Sequence, residues 1–139
     1  MPSLGVFAAI FDEHGRILCV RLNYASKGWT TPGGRVERGE SPLGALVREV
    51  REEVGLEVEP GDLLGVYAKP LKDDVVLSLR ARVTAQHPWH PTEEIAEFGY
   101  FGPDELPEPM SDVARARIID ALEGRSGVLR VFGASGGGI

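Results

Sequence analysis

The sequence predicts an α/β protein in which a mixed sheet lies between helices. Two observations lead to this class: short apolar runs typical of strands are intermixed with helical segments, and a predicted hairpin precedes the first helix. A chain of 139 residues is long enough for one domain with a hydrophobic core. Its hydrophobic content of 42% is ordinary for a globular protein.

The first predicted elements are two strands joined by a turn. Residues 4–11 form an apolar run that indicates a strand, residues 12–15 form a turn, and Ile17–Leu22 is predicted to be the hairpin partner of the first strand. Residues 23–31 follow as a loop that holds Trp29. A two-stranded hairpin is therefore expected in front of the first helix.

The first predicted helix has signals at both ends. Ser41 is a favoured N-cap, and Pro42 suits the first helical position because its missing N–H would have no partner there. Gly55 stands where a left-handed residue usually ends a helix. The helix is therefore predicted to begin at Pro42 and to end at Gly55.

After this helix the chain returns to strands. Residues 63–68 and 75–83 are predicted strands joined by a turn at 69–74. The second of them alternates apolar and polar side chains, so one of its faces is expected to meet water. Residues 85–92 form a loop with two prolines, and Ile95–Phe101 is predicted to be a further strand.

The C-terminal part contains a second helix. Residues 103–106 are predicted to form a short helical turn. Ser111 is expected to cap a helix over Asp112–Leu122, which Gly124 ends. A short terminal strand is predicted over residues 129–132.

Three glutamates share one arc of the first helix. At about 100° per residue, Glu49, Glu52 and Glu53 fall together, away from the apolar side of the helix. Like charges three and four positions apart destabilise a bare helix by roughly 0.2–0.5 kcal/mol each. A solvated acidic face is the ordinary explanation of such a charge run. The alternative is a carboxylate cluster for a hard divalent cation such as Mg²⁺, whose charge would relieve the repulsion.

The residues around this arc favour the cation. Residues 34–56 fit the pattern G-x5-E-x7-R-E-U-x-E-E-x-G-U, in which U is a bulky aliphatic residue. From average residue frequencies, a chance match in a chain of this length is on the order of one in 10^8. This segment resembles the signature box of the Nudix hydrolases, and every defining position is filled. The fixed positions are Gly34, Glu40, Arg48, Glu49, Val50, Glu52, Glu53, Gly55 and Leu56.

The resemblance implies a fold, a reaction and a set of site residues. The fold is an α/β/α sandwich with a mixed, curved sheet. The reaction is the Mg²⁺-dependent hydrolysis of a nucleoside diphosphate linked to another moiety, with Mn²⁺ as a substitute. The implied metal ligands are Glu49, Glu52, Glu53 and the carbonyl of Gly33. Glu53, Glu52 and Arg48 are the predicted catalytic residues, and Arg48 would act by orienting the glutamates through ion pairs.

Family members differ in the group that activates water. Some use a glutamate of the box, here Glu52 or Glu53, and we favour Glu53. Others use a glutamate on a later loop, here Glu93, Glu94 or Glu97. A solvated loop charge is the simpler explanation of each of these three residues.

Three further residues are candidates for binding the substrate. Arg35 follows the glycine pair, and Arg21 ends an apolar run where the family often places a phosphate-contacting base. Arginine suits bidentate phosphate recognition, although either residue could be a plain surface charge. Trp29 lies four residues before Gly33, so its ring could stack on a nucleobase or close the core under the box loop.

The rest of the chain limits partners and location. A net charge of −6 argues against a nonspecific nucleic-acid or membrane surface. The N-terminus lacks the features of a signal peptide and no stretch is long enough to span a membrane, so a cytoplasmic location is expected. Cys19, the only cysteine, is expected to be a buried, unreactive thiol. We expect one domain over residues 1–133, a glycine-rich disordered tail over 134–139, and keep a homodimer open as the assembly.

The substrate is defined only by class. Members that remove oxidised nucleotides carry a purine-reading asparagine near the last helix, whereas the only asparagine here is Asn23. The expected substrate is a small nucleotide, either a nucleoside triphosphate or a nucleotide sugar. One alternative is the removal of pyrophosphate from RNA 5′ ends, which needs only a few basic contacts. Another is a nucleotide-sensing domain without catalysis, which the four intact box glutamates disfavour.

Overall fold

The computed structural model describes residues 2–24 and 27–133, and the predicted tail at 134–139 lies outside them. Two helices are present in this part of the chain, α1 (Pro42–Val54) and α2 (Asp112–Leu122), and a 3-10 turn covers Pro70–Lys72. The strands in chain order are β1 (Ser3–Ala9), β2 (Ile17–Leu22), β3 (Trp29–Thr30), β4 (Gly33–Arg35), β5 (Leu56–Lys69), β6 (Asp74–Gln86), β7 (Ile95–Phe101) and β8 (Val128–Val131).

The strands form two sheets. The larger sheet has the order β4-β1-β6-β5-β8, in which β1 is parallel to β6 and β8 is parallel to β5, while the other two pairs are antiparallel. The smaller sheet, β3-β2-β7, is antiparallel throughout. The predicted α/β class with a mixed sheet is thus confirmed.

Two hydrophobic clusters hold the helices against the sheets. The first joins α1 to β1 through Leu46, Val50, Val6 and Ala8, among others. The second joins α2 to the next residue of β1, Ala9, and to strands of both sheets. Because successive strand residues point to opposite faces, α1 and α2 pack on opposite sides of β1. The arrangement is the sandwich that the resemblance implied.

The predicted hairpin between the first two strands forms only next to its turn, where Leu18 N–H donates to the Ile10 carbonyl. The turn forms, since the Asp12 carboxylate accepts hydrogen bonds from the backbone N–H groups of His14 and Arg16. Beyond a short bridge next to it, however, β2 separates from β1 and pairs with β3 and β7. Ile17–Val20 are all fully buried, so this strand is covered on both faces. The strand β2 is thus buried between packed layers, and it belongs to the smaller sheet and not to the sheet of β1.

Most other predicted elements are present with shifted ends. The helix α2 and strand β7 have their predicted bounds, whereas β5 begins at Leu56, seven residues before the predicted start. The early part of β5 contains Pro60 and has register shifts, which hid its strand pattern. The predicted helical turn at 103–106 is a single turn closed by a hydrogen bond from Glu105 N–H to the Gly102 carbonyl. Within the described residues, neither helix is long and apolar enough to cross a membrane.

Candidate active site

The acidic helix α1 is fixed at both ends as predicted. The Ser41 hydroxyl accepts a hydrogen bond from Gly44 N–H at 3.0 Å, and Pro42 occupies the first turn. Gly55 adopts the left-handed conformation, with φ 69°, and its N–H donates to the Arg51 carbonyl. The caps therefore fix where α1 begins and ends, and the Glu49 carboxylate of this helix lies against Gly34 of β4.

The glycine pair on β4 lets the backbone approach these glutamates closely. A Cβ atom on Gly34 would overlap the Glu49 carboxylate, and one on Gly33 would overlap β1 at Val6 and Phe7. The Gly33 N–H also donates a hydrogen bond to Glu53 Oε1 at 3.0 Å. Position 33 therefore requires glycine for steric reasons, whereas a side chain at position 34 would displace the Glu49 carboxylate.

Arg48 is the centre of an ion-pair network. Its Nε and Nη2 donate to the two oxygens of Glu40, at 2.7 and 2.9 Å, and its Nη1 donates to Glu49 Oε1 at 2.7 Å. A longer contact of 3.4 Å reaches Glu52, and Nη2 also donates to the Arg35 carbonyl. These hydrogen bonds lower the pKa of Glu40 to about 2, so Glu40 stays ionised and holds the arginine in place.

Glu53 is the most buried glutamate of the arc, with 7% of its surface exposed. Burial raises the pKa of its carboxyl to about 9, and the nearby charges of Glu49 and Glu94 act in the same direction. The hydrogen bond from Gly33 N–H opposes this shift. The Glu49 carboxyl lies close enough to Glu53 to raise the pKa of Glu53 further. Burial also raises the pKa of Glu49, against the effect of Arg48.

Glu52 lies apart from this pair. Its side chain is 58% exposed and makes only the long contact to Arg48. Within residues 2–24 and 27–133, no three histidine, cysteine or acidic side chains converge into a ready-made metal cage.

The three later glutamates occupy different surroundings. Glu94 lies near the box, since its charge raises the pKa of both Glu49 and Glu53. Its loop is tied to β2 by a hydrogen bond from Asn23 N–H to the Glu94 carbonyl at 2.7 Å. Glu97 pairs with Arg21 across β2 and β7, with 2.8 Å from Arg21 Nη2 to Glu97 Oε2. Glu93 is exposed on the same loop as Glu94.

Comparison with known proteins identifies the family to which these site residues belong. The family model described as the NUDIX domain matches residues 1–122. The chain belongs to the Nudix family. A MutT-like protein from Streptomyces ambofaciens is 36% identical over 125 residues, which cover 89% of this chain and 79% of that protein.

Two further Nudix relatives carry names that state a substrate. The CTP pyrophosphohydrolase of Escherichia coli is 33% identical over 93 residues, or 65% of this chain and 63% of that protein. The crystal structure of an ADP-ribose pyrophosphatase from Streptococcus suis superimposes with a TM-score of 0.76 at 28% identity, covering 94% of this chain and 98% of that one. This chain is therefore a Nudix hydrolase by family and by fold.

Next to the Nudix box lies a pocket of about 250 Å³ with aromatic walls, which we call the aromatic pocket. Glu53 and the Gly33–Gly34 pair form one side of it, and Tyr24 and Trp29 form another. The Trp29 ring packs edge-on against Phe101 with 5.2 Å between ring centroids, so it also closes the core, as the alternative prediction held. Tyr24 is 54% exposed, and it was not among the predicted substrate-binding residues.

A second, adjoining pocket of about 400 Å³ lies between β1, β6 and the first turn of α2. It contains Arg35, which was predicted, together with Lys69, Lys72 and Arg117, which were not. We call it the basic pocket. Arg117 could have been found from the sequence, because it interrupts the apolar side of α2 that otherwise packs into the core.

The donor groups of the Nudix box fit a hard divalent cation. Glu49 and Glu53 offer neighbouring carboxylate oxygens, which Mg²⁺ prefers as ligands, and Glu53 lines the open aromatic pocket. The missing side chain at Gly34 leaves room for the Glu49 carboxylate at the β4 backbone. Three clustered glutamates with one arginine among them also leave a negative charge that a cation would compensate.

Proposed function

We propose that this chain is a divalent-metal-dependent pyrophosphohydrolase of small nucleotides, which hydrolyses the diphosphate of a nucleoside diphosphate linked to another moiety. One observation carries the proposal: Glu49 and Glu53 lie side by side against the Gly33–Gly34 edge, where two pockets open. Carboxylates in such a place are ligands that Mg²⁺ shares with substrate phosphates. The names of the Escherichia coli and Streptococcus suis relatives support the same class of reaction.

The proposed metal ligands are the carboxylates of Glu49, Glu52 and Glu53 and the carbonyl of Gly33. Bound Mg²⁺, or Mn²⁺ in its place, would supply an activated water and neutralise charge on the phosphates. Glu52 would have to leave Arg48 and turn toward the other two, which its exposed side chain permits. Arg48, held by Glu40, would keep Glu49 aligned, so we assign it a positioning role.

In the proposed reaction, water attacks one phosphorus of the diphosphate linkage, the bridging P–O bond breaks, and two phosphate products leave. Glu53 is the base that we favour for the proton of that water. Its side chain lines the aromatic pocket next to Gly33 and Gly34, where the proposed diphosphate would lie. Glu94 is the loop glutamate best placed to take this role instead, because it lies near the same carboxylates.

We place the nucleoside in the aromatic pocket. Phe7, Tyr24 and Trp29 are its aromatic side chains, and aromatic rings stack on nucleobases without selecting one base strongly. Arg21 could reach a phosphate only by leaving Glu97, whereas Arg35 has no such partner among the described residues. Arg35 is therefore the stronger of the two phosphate candidates.

The test is hydrolysis of a nucleotide panel with Mg²⁺ and with Mn²⁺. The panel contains the eight nucleoside triphosphates, 8-oxo-dGTP, ADP-ribose, UDP-sugars, NADH and diadenosine polyphosphates. We expect strong turnover of one class, and a loss of at least about 100-fold in Glu53→Gln and Glu52→Gln, since each removes a ligand of the charge-neutralising cation.

Glu13→Gln is the matched control, because Glu13 is an exposed turn residue far along the chain from the box. Unchanged hydrolysis in both box variants would contradict the metal–glutamate mechanism. A 5′-triphosphorylated RNA is assayed beside the panel, and turnover of that RNA alone would replace the small nucleotide by an RNA end. No turnover of any compound by folded protein would favour the sensing domain.

A further inference from the structure

The basic pocket carries a concentration of positive charge that is unusual for this chain. The protein has 21 acidic and 15 basic residues, yet four of the basic ones line this single pocket: Arg35, Lys69, Lys72 and Arg117. Asp74 is the acidic residue of its lining, and it is already occupied by Lys69 at 3.2 Å and by the Ser3 hydroxyl. The pocket as a whole is therefore cationic.

Three of the four cations lack an acidic partner. Among residues 2–24 and 27–133, Arg35, Lys72 and Arg117 form no ion pair with a carboxylate, whereas Lys69 does. Most exposed cations elsewhere among the described residues do have one, such as Arg16, Arg51 and Arg82. The free cations of the basic pocket are thus available to a ligand.

Arg117 is the most informative of these residues. It is 5% exposed, it lies 4.0 Å above the Phe7 ring, and its two terminal nitrogens donate to Thr30 and Thr31 hydroxyls. Its Nε has no hydrogen-bond partner among the described residues. A guanidinium buried without an anion is costly, and an anion in the adjoining pocket would compensate its charge.

The N-terminal end of α2 adds to the positive potential of the basic pocket. Ser111, the N-cap of this 11-residue helix, and Ala114, in its first turn, line the pocket, and the N-terminal end of a helix attracts anions. The floor is formed by Gly5 and Val76, and Gly5 leaves space because it has no side chain. The pocket thus combines room, four cations and a helix N-terminus.

We infer that the basic pocket receives an anionic group on the moiety linked to the nucleoside diphosphate, so that the enzyme prefers charged moieties, above all phosphate, to neutral sugars. The inference rests on the proposed function for the place of the diphosphate, which Glu49 and the shared pocket wall at Gly34 set next to the basic pocket. Nucleoside triphosphates would satisfy it, and ADP-ribose and UDP-glucose would not.

The binding test does not need hydrolysis. Inorganic pyrophosphate is titrated into protein kept metal-free with EDTA, and backbone amide shifts are followed by NMR. We expect shifts clustered at Gly5, Lys72 and Ala114, and an affinity about 10-fold weaker in Lys72→Glu, which reverses one exposed charge at the rim. Arg82→Glu, at an exposed position near the far end of β6, is the control and should bind as the unaltered protein does.

The selectivity test compares three substrates that differ in the charge of the group attached to UDP. UDP-glucuronate and UDP-glucose have the same size and differ by a carboxylate, and UTP carries a phosphate instead of the sugar. We expect kcat/KM in the order UTP, UDP-glucuronate, UDP-glucose, and a ratio of UTP to UDP-glucose that falls about 10-fold in Lys72→Gln. A preference for UTP alone would identify phosphate as the group recognised.

Two results would overturn the inference: amide shifts that avoid the basic pocket or persist unchanged in Lys72→Glu, or a preference for UDP-glucose that Lys72→Gln does not alter. Failure of the proposed function is a separate result. In that case no panel compound is hydrolysed, while the pyrophosphate titration still decides whether the pocket binds anions.

Discussion

Arg48 donates two hydrogen bonds to the Glu40 carboxylate, from Nε to one oxygen at 2.7 Å and from Nη2 to the other at 2.9 Å. This pair fixes the arginine that aligns Glu49. We expect Glu40→Gln to lower kcat about 10-fold, since changes to residues that orient metal ligands typically cost about 10–100-fold. Steady-state kinetics with thermal melting would separate this effect from loss of fold. An equal loss in the exposed variant Glu37→Gln would contradict it.

The burial of Glu53 predicts a pH-dependent stability in metal-free buffer. Its folded pKa of about 9 exceeds the ordinary value of 4.5, so the folded state binds more protons than the unfolded state between these two pH values. Stability is therefore full at low pH and falls as pH rises through this window. We expect Glu53→Gln to remove this loss, which thermal melts at pH 5, 7 and 9 in EDTA would detect. Equal slopes in the variant and the parent would refute the assignment.

Glu94 and Glu97 form a matched pair for identifying the base. Glu94 lies near Glu49 and Glu53, whereas Glu97 is engaged with Arg21. Because Glu53 is the base that we favour, we expect Glu94→Gln to lower kcat by less than about 10-fold, whereas a larger loss with a changed pH–rate profile would make Glu94 the base instead. Glu97→Gln should leave kcat within about twofold, because surface ion pairs contribute little. A larger effect of Glu97→Gln would reverse the assignment.

The glycine at position 34 is predicted to be essential for activity. A Cβ there would overlap the Glu49 carboxylate, so Gly34→Ala should displace Glu49 and weaken both Mn²⁺ binding and hydrolysis by about 10-fold or more. Mn²⁺ binding is measured by paramagnetic relaxation of water. Gly133→Ala is the control, because a Cβ at Gly133 would meet no atom within 4 Å. Normal Mn²⁺ affinity in Gly34→Ala would contradict the steric argument.

Asp120 predicts sensitivity to acid far from the box. Its carboxylate, 2% exposed, accepts hydrogen bonds from the Tyr67 hydroxyl at 2.8 Å and from Arg130 at 2.7 and 2.8 Å. Burial alone would raise the pKa of Asp120, but these hydrogen bonds outweigh it and the pKa is lowered below 3.8. Its contribution is therefore present above about pH 4 and is lost as pH falls below that value.

The matching variant is Asp120→Asn. We expect it to reduce the free energy of unfolding by about 2 kcal/mol, because it weakens hydrogen bonds to a charged group at a buried site. Urea unfolding at pH 7 measures this loss, and the difference between variant and parent should shrink toward pH 2. Asp104→Asn, in an exposed turn, should have no effect. A constant difference at all pH values would show that the charge of Asp120 is irrelevant.

The sequence predicted those parts of the structure that are determined locally. The caps at Ser41 and Gly55 fix α1, and its periodicity aligns Glu49, Glu52 and Glu53, because both properties depend on neighbours within a few residues. The network of Arg48 follows from the same spacing together with Glu40 on the adjoining loop. Helix chemistry was therefore accessible without a structure.

Sheet partners and the basic pocket were not accessible in this way. The separation of β2 from β1 depends on which layers cover both faces of Ile17–Val20, and no residue of the turn encodes that. Arg35, Lys72 and Arg117 come from three distant parts of the chain and meet only because β4, β1 and β6 are neighbours under α2. Long-range pairing of this kind leaves no local pattern.

Alkylation of Cys19 can measure how often the folded core opens. The thiol lies fully buried on β2, and burial raises its pKa to about 12, so alkylating reagents cannot attack it in the closed state. Because it is the chain's single cysteine, every labelling event counts one opening of the layers around β2. The rate of alkylation with and without a bound nucleotide would therefore report how much the ligand slows local opening of the core, without any engineered probe.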